Sequence, residues 1–201
     1  PIVASGENAC ILHYTENNKE LKNGDLLLID AGCEINGYAS DITRTFPING
    51  KFNDAQREIY DLVLSAQKSA IQSIRPGVSS NKPHETACQI ITDGLIKLGI
   101  MKSPEDLTKF YMHNTGHWLG LDVHDVGSKL VNGEFREFKS GMVTTVEPGI
   151  YIRRDDKIDP KYWGIGVRIE DDVLVTDKGN HVLSQKAAKE IDEIELLMSQ
   201  Q

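Results

Sequence analysis

The stretch LLLIDAGCEINGYASDITRTFP, residues 26–47, decides the fold of this chain. It begins with an apolar run, Leu26 to Ile29, which follows an Asn-Gly turn signal and predicts a buried strand. A second strand, rich in threonine and aromatic residues, is predicted from Tyr38 to Phe46, ahead of a proline. We expect the two strands to pair across a short turn, which would bring the carboxylates of Asp30 and Asp41 to one level.

Outside this stretch, the sequence pattern predicts helices grouped between strands. A polar residue, Asn53 or Asp54, caps a helix whose apolar side chains recur at helical spacing up to an Arg-Pro-Gly break at residues 75–77. The later elements are a helix from Pro83 to Leu98, a strand from Met142 to Ile152 that Pro148-Gly149 interrupts, one or two strands between Gly164 and Thr176, and an amphipathic helix from Ala187 to Met198. This order favours an α+β fold over a doubly wound parallel sheet.

Composition and charge exclude several classes of protein. The 201 residues are 39% apolar and 26% charged, which is ordinary for a globular domain with its own core. The net charge is −8 and lysine and arginine form no cluster, so nucleic acid is not an expected partner. No apolar run approaches the roughly 18 residues of a membrane span, so a membrane partner is not expected either.

The three cysteines indicate the redox compartment. Cys10, Cys33 and Cys88 are far apart and odd in number, which argues against a disulfide framework and against a structural zinc site. Free thiols are typical of a reducing compartment, so we expect a cytoplasmic location.

Four acidic residues stand next to apolar residues in the predicted strands: Asp30, Asp41, Glu147 and Glu170. Any one of them alone would be read as a solvated residue at a strand end or as the partner of an arginine. Four ionised carboxylates, however, cannot share a dry site unless cations compensate them. Two divalent cations balance the four charges, and one added imidazole gives a ligand set suited to Mn, Co, Fe or Zn. Arg168, two residues before Glu170 on the same strand face, would orient or neutralise a ligand.

Histidines form the second group of candidates. His113, His117 and His124 fall in a glycine-rich segment, whereas His13 stands alone. The first two do not match a helical zinc pair, because glycines interrupt the segment and an asparagine takes the place of the glutamate in that motif. A structural role and a functional role remain equally open for the three clustered histidines, whereas the spacing gives His13 less support for a functional role. No serine or cysteine has a convincing partner base, and no P-loop is present.

Five segments of the chain carry a resemblance to a known family. They are IDAGC (29–33), SDITRTF (40–46), GHWLGLDVHDVG (116–127), TVEPGIY (145–151) and GVRIED (166–171). Together they closely resemble aminopeptidase P, the Xaa-Pro aminopeptidase of the pita-bread metallopeptidases, over nearly the whole chain. The resemblance implies an α+β fold of the pita-bread, or creatinase/aminopeptidase-like, type and assembly as a homo-oligomer.

The resemblance also implies a metal site. Two divalent ions, usually manganese, would be held by five residues of this chain. Asp41 and Glu170 would bridge the ions, Asp30 would hold one of them, and His117 with Glu147 would hold the other.

Further residues are implied to act on the substrate. Glu147 would take the proton of the attacking water, and His124 would donate to the tetrahedral intermediate. His13 and His113 match histidines that line the substrate pocket, and Arg168 matches an arginine behind the metal ligands.

The implied activity is removal of an N-terminal residue that precedes proline, from peptides with proline at the second position, by a hydroxide that bridges the two ions. Two alternatives stay open. One is a prolidase-type dipeptidase of the same fold, which the motifs separate only in part. The other is a non-catalytic peptide-binding module of this fold; such modules typically lose metal ligands, and all five are present here.

The resemblance also leads to an expectation about domain organisation. Family members carry an N-terminal domain, and their catalytic domain opens with helices and a strand ahead of the segment with which this chain begins. We therefore expect residues 1–201 to be the C-terminal catalytic metallopeptidase domain, truncated at its N-terminal side. Such a piece is expected to keep the metal ligands but to have little activity alone.

Overall fold

The fold is built from short antiparallel strands against which two long helices pack. The computed structural model describes residues 1–200. In chain order the strands and α-helices are β1 (Ile2–Ser5), β2 (Leu26–Ala31), β3 (Glu34–Ile35), β4 (Tyr38–Ala39), β5 (Ile42–Pro47), α1 (Asp54–Ser73), α2 (Lys82–Lys97), β6 (Leu130–Val131), β7 (Glu134–Phe135), β8 (Val143–Val146), β9 (Gly149–Ile152), β10 (Ile165–Arg168), β11 (Asp171–Thr176), β12 (Gly179–Val182) and α3 (Ile191–Met198). None of the helices in this part of the chain has the length and apolar character needed to cross a membrane.

Two three-stranded antiparallel sheets hold several of the acidic residues of this chain. In the first, β2 lies between β1 and β5, and Asp30 is in register with Thr43. In the second, β11 lies between β8 and β12, and Asp172 is in register with Thr145. A separate antiparallel pair, β9 and β10, ends at Arg168. Helices grouped with antiparallel strands confirm the expected α+β class.

The strand predicted from Tyr38 to Phe46 is wrong in one respect, because it breaks at Ser40 and Asp41. A Cβ atom on Gly32 would lie 1.8 Å from the carbonyl oxygen of Ser40, so two segments cross here at very short range. The backbone N–H of Ser40 also donates to the carbonyl of Cys33 at 2.9 Å. This crossing leaves the small hairpin β3–β4 in place of the expected short turn, and the ladder resumes only after Asp41.

The other predicted elements are present with shifted boundaries. Helix α1 begins after Asn53 as expected, and the interrupted strand from 142 to 152 is the pair β8 and β9. The last helix starts at Ile191 and not at Ala187. The reason is tertiary: the carbonyls of Ala187 and Ala188 accept hydrogen bonds from the guanidinium of Arg44, at 2.9 and 3.0 Å, which hold this segment against β5 ahead of the helix.

The main core lies between the two long helices and the strands of the second half. Helices α1 and α2 pack against each other, and α1 also contacts β8, β9 and β10. The fully buried side chains of this core include Ile59, Tyr60, Val63, Ile91, Leu95, Ile150, Ile152 and Val167. Burial of each such side chain contributes about 1.5–3 kcal/mol. The core therefore holds β9 and β10 firmly behind the residues described below.

A buried ion cluster ties the end of the chain to the sheets. The carboxylate of Asp171 is 0% exposed and lies 2.8 Å from Nη2 of Arg44 and 2.5 Å from Nζ of Lys189. Its oxygens also accept hydrogen bonds from Gln67 Nε2 at 2.7 Å and Ser184 Oγ at 2.6 Å. Burial alone would raise the pKa of Asp171, but the two cations outweigh it and hold the pKa below its usual value. The cluster joins α1, β5, β11 and the segment before α3.

The first prediction concerns the cap of α1. The side chain of Asn53 accepts from the backbone N–H of Gln56 at 2.9 Å, and the side-chain oxygen of Gln56 accepts from the backbone N–H of Asn53 at 3.0 Å. Asn53→Ala removes half of this capping box and should lower the free energy of unfolding by about 1 kcal/mol. For a domain of this size, the midpoint temperature of thermal unfolding should fall by about 2–4 °C.

The matched control for this prediction is Asn81→Ala. Asn81 precedes α2 in the same way but makes no side-chain cap to the helix backbone. An equal loss of thermal stability in both variants would contradict the assigned role of the Asn53 cap.

The second prediction concerns the buried ion cluster. Asp171→Ala leaves the guanidinium of Arg44 and the ammonium of Lys189 without their anion, and should lower the free energy of unfolding by about 3–5 kcal/mol. Lys68→Ala is the control, because Lys68 pairs with Glu190 at 2.6 Å between exposed side chains. Such a pair contributes about 0–1 kcal/mol. Urea unfolding of the two variants measures the difference, and similar midpoints would refute the prediction.

Candidate metal centre

Most of the predicted site residues line one cavity of about 350 Å³. They are His13, Asp30, Asp41, His113, His117, His124, Glu147 and Arg168. Glu170, the remaining predicted residue, is only 1% exposed and lies beside this cavity, next to Asp41 and His117. The fold therefore brings together side chains from segments as far apart as residues 13 and 170.

The tightest group is formed by Asp41, His117 and Glu170. One possible ligand atom from each residue lies within 4.8 Å of the other two. His117 Nε2 is 3.3 Å from Asp41 Oδ2 and 3.6 Å from Glu147 Oε1. Carboxylate oxygens and an imidazole nitrogen at this spacing form a donor set for a divalent transition metal.

The ring of His117 is held in the orientation that a ligand needs. Its Nδ1 lies 3.0 Å from the carbonyl oxygen of Trp118, which can only accept, so Nδ1 carries the proton and Nε2 points to the acids. Burial alone would lower the pKa of His117, but the hydrogen bonds with Asp41 and with the Trp118 carbonyl raise it. The fixed nitrogen is therefore directed at a site rich in negative charge.

A glycine allows this histidine to approach β8. The carbonyl of His117 accepts from the backbone N–H of Thr145 at 2.9 Å, and the hydroxyl of Thr145 accepts from the N–H of His117 at 3.1 Å. A Cβ atom on Gly116 would lie 2.0 Å from the carbonyl oxygen of Thr145. Position 116 therefore has to be glycine for His117 to reach Glu147, which follows the same strand.

Glu170 gives the clearest indication of a cation site. Its Oε2 accepts a hydrogen bond from Thr43 Oγ1 at 2.7 Å, but Oε1 is buried and has no hydrogen-bond partner within residues 1–200. Burial first, and then the neighbouring carboxylates of Glu147 and Asp41, raise the pKa of Glu170 well above its usual value. An unpartnered carboxylate oxygen in a dry site costs free energy unless a cation binds it.

The pKa values of the other three acids are shifted in different directions. Burial raises the pKa of Glu147 to about 7 and also raises that of Asp30, in spite of Arg168. Burial would raise the pKa of Asp41 as well, yet the hydrogen bonds with His117 and Asp30 lower it. Four carboxylates thus compete for few compensating charges. A divalent ion bound by these oxygens would remove the competition, so the residues present fit a metal site.

A hydrogen-bond chain runs from Asp30 to the far wall of the cavity. Arg168 Nη2 donates to Asp30 Oδ2 at 2.7 Å, and Arg168 Nη1 donates to the hydroxyl of Tyr151 at 3.0 Å. Tyr151 in turn lies 2.8 Å from His113 Nε2. Because His113 Nδ1 donates to the carbonyl of Asn114, Nε2 must be the acceptor. Burial lowers the pKa of His113 to about 4, so this ring is neutral.

The remaining two histidines are more exposed. The ring of His124 stands edge-on to that of His117, with 4.3 Å between the ring centroids. His13 also lines the cavity and is exposed. Both rings are accessible to a molecule that enters the cavity.

Three residues at the site were not predicted from the sequence. Thr43 bridges two site residues, since its hydroxyl accepts from Arg168 Nε at 3.2 Å and donates to Glu170. Lys129 lines the cavity and donates to the carbonyl of Gly116, and burial lowers its pKa. Asp172 contacts the backbone of Asp41. The alternation of Thr43 with Thr45 on β5 was a signal from which the buried position of Thr43 could have been predicted. The sequence carries no such signal for Lys129 or Asp172.

The sequence model of metallopeptidase family M24 matches residues 1–177 of the chain. The chain is 56% identical to the Xaa-Pro aminopeptidase of Haemophilus influenzae and 52% identical to that of Escherichia coli, with 98% of this chain covered in each case. It covers 47% and 46% of those proteins, so the chain spans about half the length of the curated relatives it matches.

Solved structures agree with the sequence matches. Aminopeptidase PepP of Pseudomonas aeruginosa superimposes with a TM-score of 0.96 at 54% identity, covering 99% of this chain and 47% of that chain. Proline aminopeptidase P II from Yersinia pestis superimposes with a TM-score of 0.94 at 51% identity, covering 100% of this chain and 48% of that chain. The expected α+β fold of the aminopeptidase P type is confirmed. The fold brings together acids and a histidine that are suited to binding metals. Because the family model also covers most of the chain, the chain belongs to metallopeptidase family M24.

Proposed function

We propose that this chain is the metal-binding catalytic part of an Xaa-Pro aminopeptidase, which removes an N-terminal residue that precedes proline. The observation that carries the proposal is the cluster of Asp41, His117 and Glu170, with an unpartnered carboxylate oxygen at its buried side. The names of the relatives from Haemophilus influenzae and Escherichia coli support the choice of reaction. Peptides with proline at the second position are the proposed substrates.

The proposed metal ligands are Asp30, Asp41, His117, Glu147 and Glu170, and the proposed cofactor is a pair of Mn²⁺ ions. Asp41 and Glu170 are proposed as shared ligands, Asp30 as the ligand of one ion, and His117 with Glu147 as ligands of the other. Bound divalent ions supply a water of lowered pKa and a Lewis acid for the scissile carbonyl. The negative charge of the four acids balances two such ions.

The protein groups around the ions have distinct proposed roles. Glu147, whose side chain is 18% exposed to the cavity and lies 3.6 Å from His117 Nε2, accepts the proton of the attacking water. His124, exposed beside His117, donates to the oxyanion that develops at the carbonyl. Arg168 holds Asp30 in place through a hydrogen bond of 2.7 Å and stays charged throughout.

His113 and His13 are proposed to shape the substrate pocket. Both ring nitrogens of His113 are already engaged, by Tyr151 and by Asn114, so this neutral ring offers a surface and no free donor. An Xaa-Pro bond has no N–H to recognise, so a pocket for proline has to select the ring by its shape. A wall built from fixed, neutral imidazole suits that task.

The wider setting of the enzyme is part of the same proposal. Residues 1–201 are proposed to be the C-terminal catalytic domain, and the whole protein is proposed to act in the cytoplasm as a homo-oligomer. Free cysteines support the reducing compartment, since Cys10, Cys33 and Cys88 form no disulfide among the described residues. The acidic net charge of −8 supports the absence of a nucleic-acid partner.

The third prediction tests the metal site without any need for turnover. Mn²⁺ at a hundredfold excess over its Kd should stabilise the chain by about 2.7 kcal/mol for one site. The midpoint temperature of thermal unfolding should therefore rise by about 5–10 °C and return to its starting value when EDTA is added. Asp41→Asn should abolish the shift, because it removes a charged ligand from the cluster.

Asp177→Asn is the control for the metal prediction, because Asp177 is an exposed acid outside the cavity. This variant should keep the full Mn²⁺ shift. A shift that survives in Asp41→Asn, or disappears equally in both variants, would contradict the assignment of the site.

The fourth prediction tests the reaction. With Mn²⁺, the chain should release the first residue of an Xaa-Pro-Xaa tripeptide, at a rate below that of the full-length Escherichia coli relative. An N-acetylated copy of the tripeptide should not be cleaved, since an aminopeptidase requires a free α-amine. Mass spectrometry of the products identifies the bond that is broken.

An Xaa-Pro dipeptide, assayed in parallel, separates the alternatives. Faster cleavage of the dipeptide than of the tripeptide would favour a prolidase. Metal binding without cleavage of either peptide, by the chain and by any longer form of the protein, would favour a non-catalytic module. Cleavage that does not depend on metal would refute the proposal.

A further inference from the structure

The backbone of Asp41 has an unusual anchor. Asp41 lies in the break between β4 and β5, so its N–H has no partner in a strand ladder. This N–H instead donates to Oδ2 of Asp172 at 3.2 Å, across 131 positions of sequence. A half-buried N–H must find an acceptor, and here a carboxylate from the other half of the chain supplies it.

The residue that provides this anchor is itself fixed through its backbone. Asp172 is 4% exposed and belongs to β11, where it is in register with Thr145 of β8. Its N–H donates to Ser184 Oγ at 3.1 Å, and its carbonyl accepts from the N–H of Leu183 at 2.8 Å. Ser184 Oγ donates in turn to Asp171, the centre of the buried ion cluster, at 2.6 Å. Asp172 therefore has little freedom to move.

The anchored residue belongs to the tightest group of the site. The carboxylate of Asp41 lies 3.3 Å from His117 Nε2 and belongs to the three-residue group with Glu170. Without an anchor, the break at Ser40 and Asp41 would leave the backbone of this residue free to rotate. A metal ligand on such a segment would lose the preorganisation that tight binding needs.

We propose that Asp172 is a positioning residue of the metal centre: its Oδ2 holds the backbone of Asp41 at the strand break and so directs the Asp41 carboxylate toward His117 and Glu170. Asp172 does not face the cavity of the site and is not a proposed ligand. The inference rests on the proposed function in so far as Asp41 is taken to bind metal. It assigns the effect to the acceptor oxygen of Asp172 and not to its charge.

Three substitutions of Asp172 separate an effect of its acceptor oxygen from an effect of its charge. Asp172→Ala removes the acceptor, and Asp172→Asn keeps an acceptor oxygen of the same reach but removes the charge. Asp172→Glu keeps the charge but displaces the acceptor by one methylene group. The additional methylene has room, because Asp172 and Ser184 line a separate cavity of about 290 Å³. Asn and Glu therefore decide the question even where the Ala variant does not fold.

A fourth variant controls for lost stability. Asn180→Ala removes a side chain that donates to the carbonyls of Ile71 and Ile74 at 2.9 and 3.0 Å. Like Asp172, this side chain fastens backbone groups of a distant segment, but it does not line the metal cavity. It should lower the thermal stability and leave the affinity for Mn²⁺ unchanged.

The experiment is isothermal titration of each variant with MnCl₂, paired with thermal unfolding of the metal-free protein. Asp172→Ala and Asp172→Glu should weaken Mn²⁺ binding by about 10- to 100-fold, the range usual for partners of metal ligands. Asp172→Asn should stay within about threefold of the unsubstituted chain, since it rescues the acceptor. A merely structural role would lower thermal stability but would not produce this order of affinities.

Two results would overturn the inference alone. Unchanged Mn²⁺ affinity in Asp172→Ala, or in Asp172→Asn and Asp172→Glu alike, would show that Asp41 needs no anchor. Equal loss in Asp172→Asn and Asp172→Ala, with Asp172→Glu retained, would assign the effect to charge. Failure of the unsubstituted chain to bind Mn²⁺ would overturn the proposed function itself, and this inference with it.

Discussion

Repulsion among carboxylates within one small cavity is the constraint on which the rest of the site depends. Asp30, Asp41, Glu147 and Glu170 are all at least partly buried, and burial raises the pKa of three of them. Only Asp41 has its pKa lowered, because its hydrogen bonds with His117 and Asp30 outweigh the effect of burial. The fold therefore holds these groups together against their mutual repulsion, which folded proteins do where a cation is to be bound.

That repulsion explains how much of the structure is devoted to support. Arg168 and Thr43 join Asp30 to Glu170, and Tyr151 extends the same chain to the far wall of the cavity. Behind them, the cluster around Asp171 joins both sheets to α1 and to the segment before α3. Each of these contacts removes freedom from an acid that would otherwise move away from its neighbours.

Function and stability are consequently concentrated in the same short segment. Glu170 faces the site, Asp171 is the centre of the buried ion cluster, and Asp172 contacts the backbone of Asp41. Three adjacent acids thus have three different sets of partners. The break after β10 makes this possible, since in an unbroken strand the first and third side chains would lie on one face.

The sequence by itself determined the helices, the fold class and the set of residues from which the site is built. Helical spacing and the cap at Asn53 are local signals, and the five motif segments contain the acids and two of the four histidines that line the cavity. Only the tertiary structure decided which partners hold them. The contacts of Asp172 with Asp41 and of Thr43 with Glu170 join residues 131 and 127 positions apart. No periodicity encodes such pairs, because they arise where two sheets and a strand break meet. The same reason made the strand from Tyr38 to Phe46 appear continuous: the close crossing of Gly32 and Ser40 exists only in the folded chain.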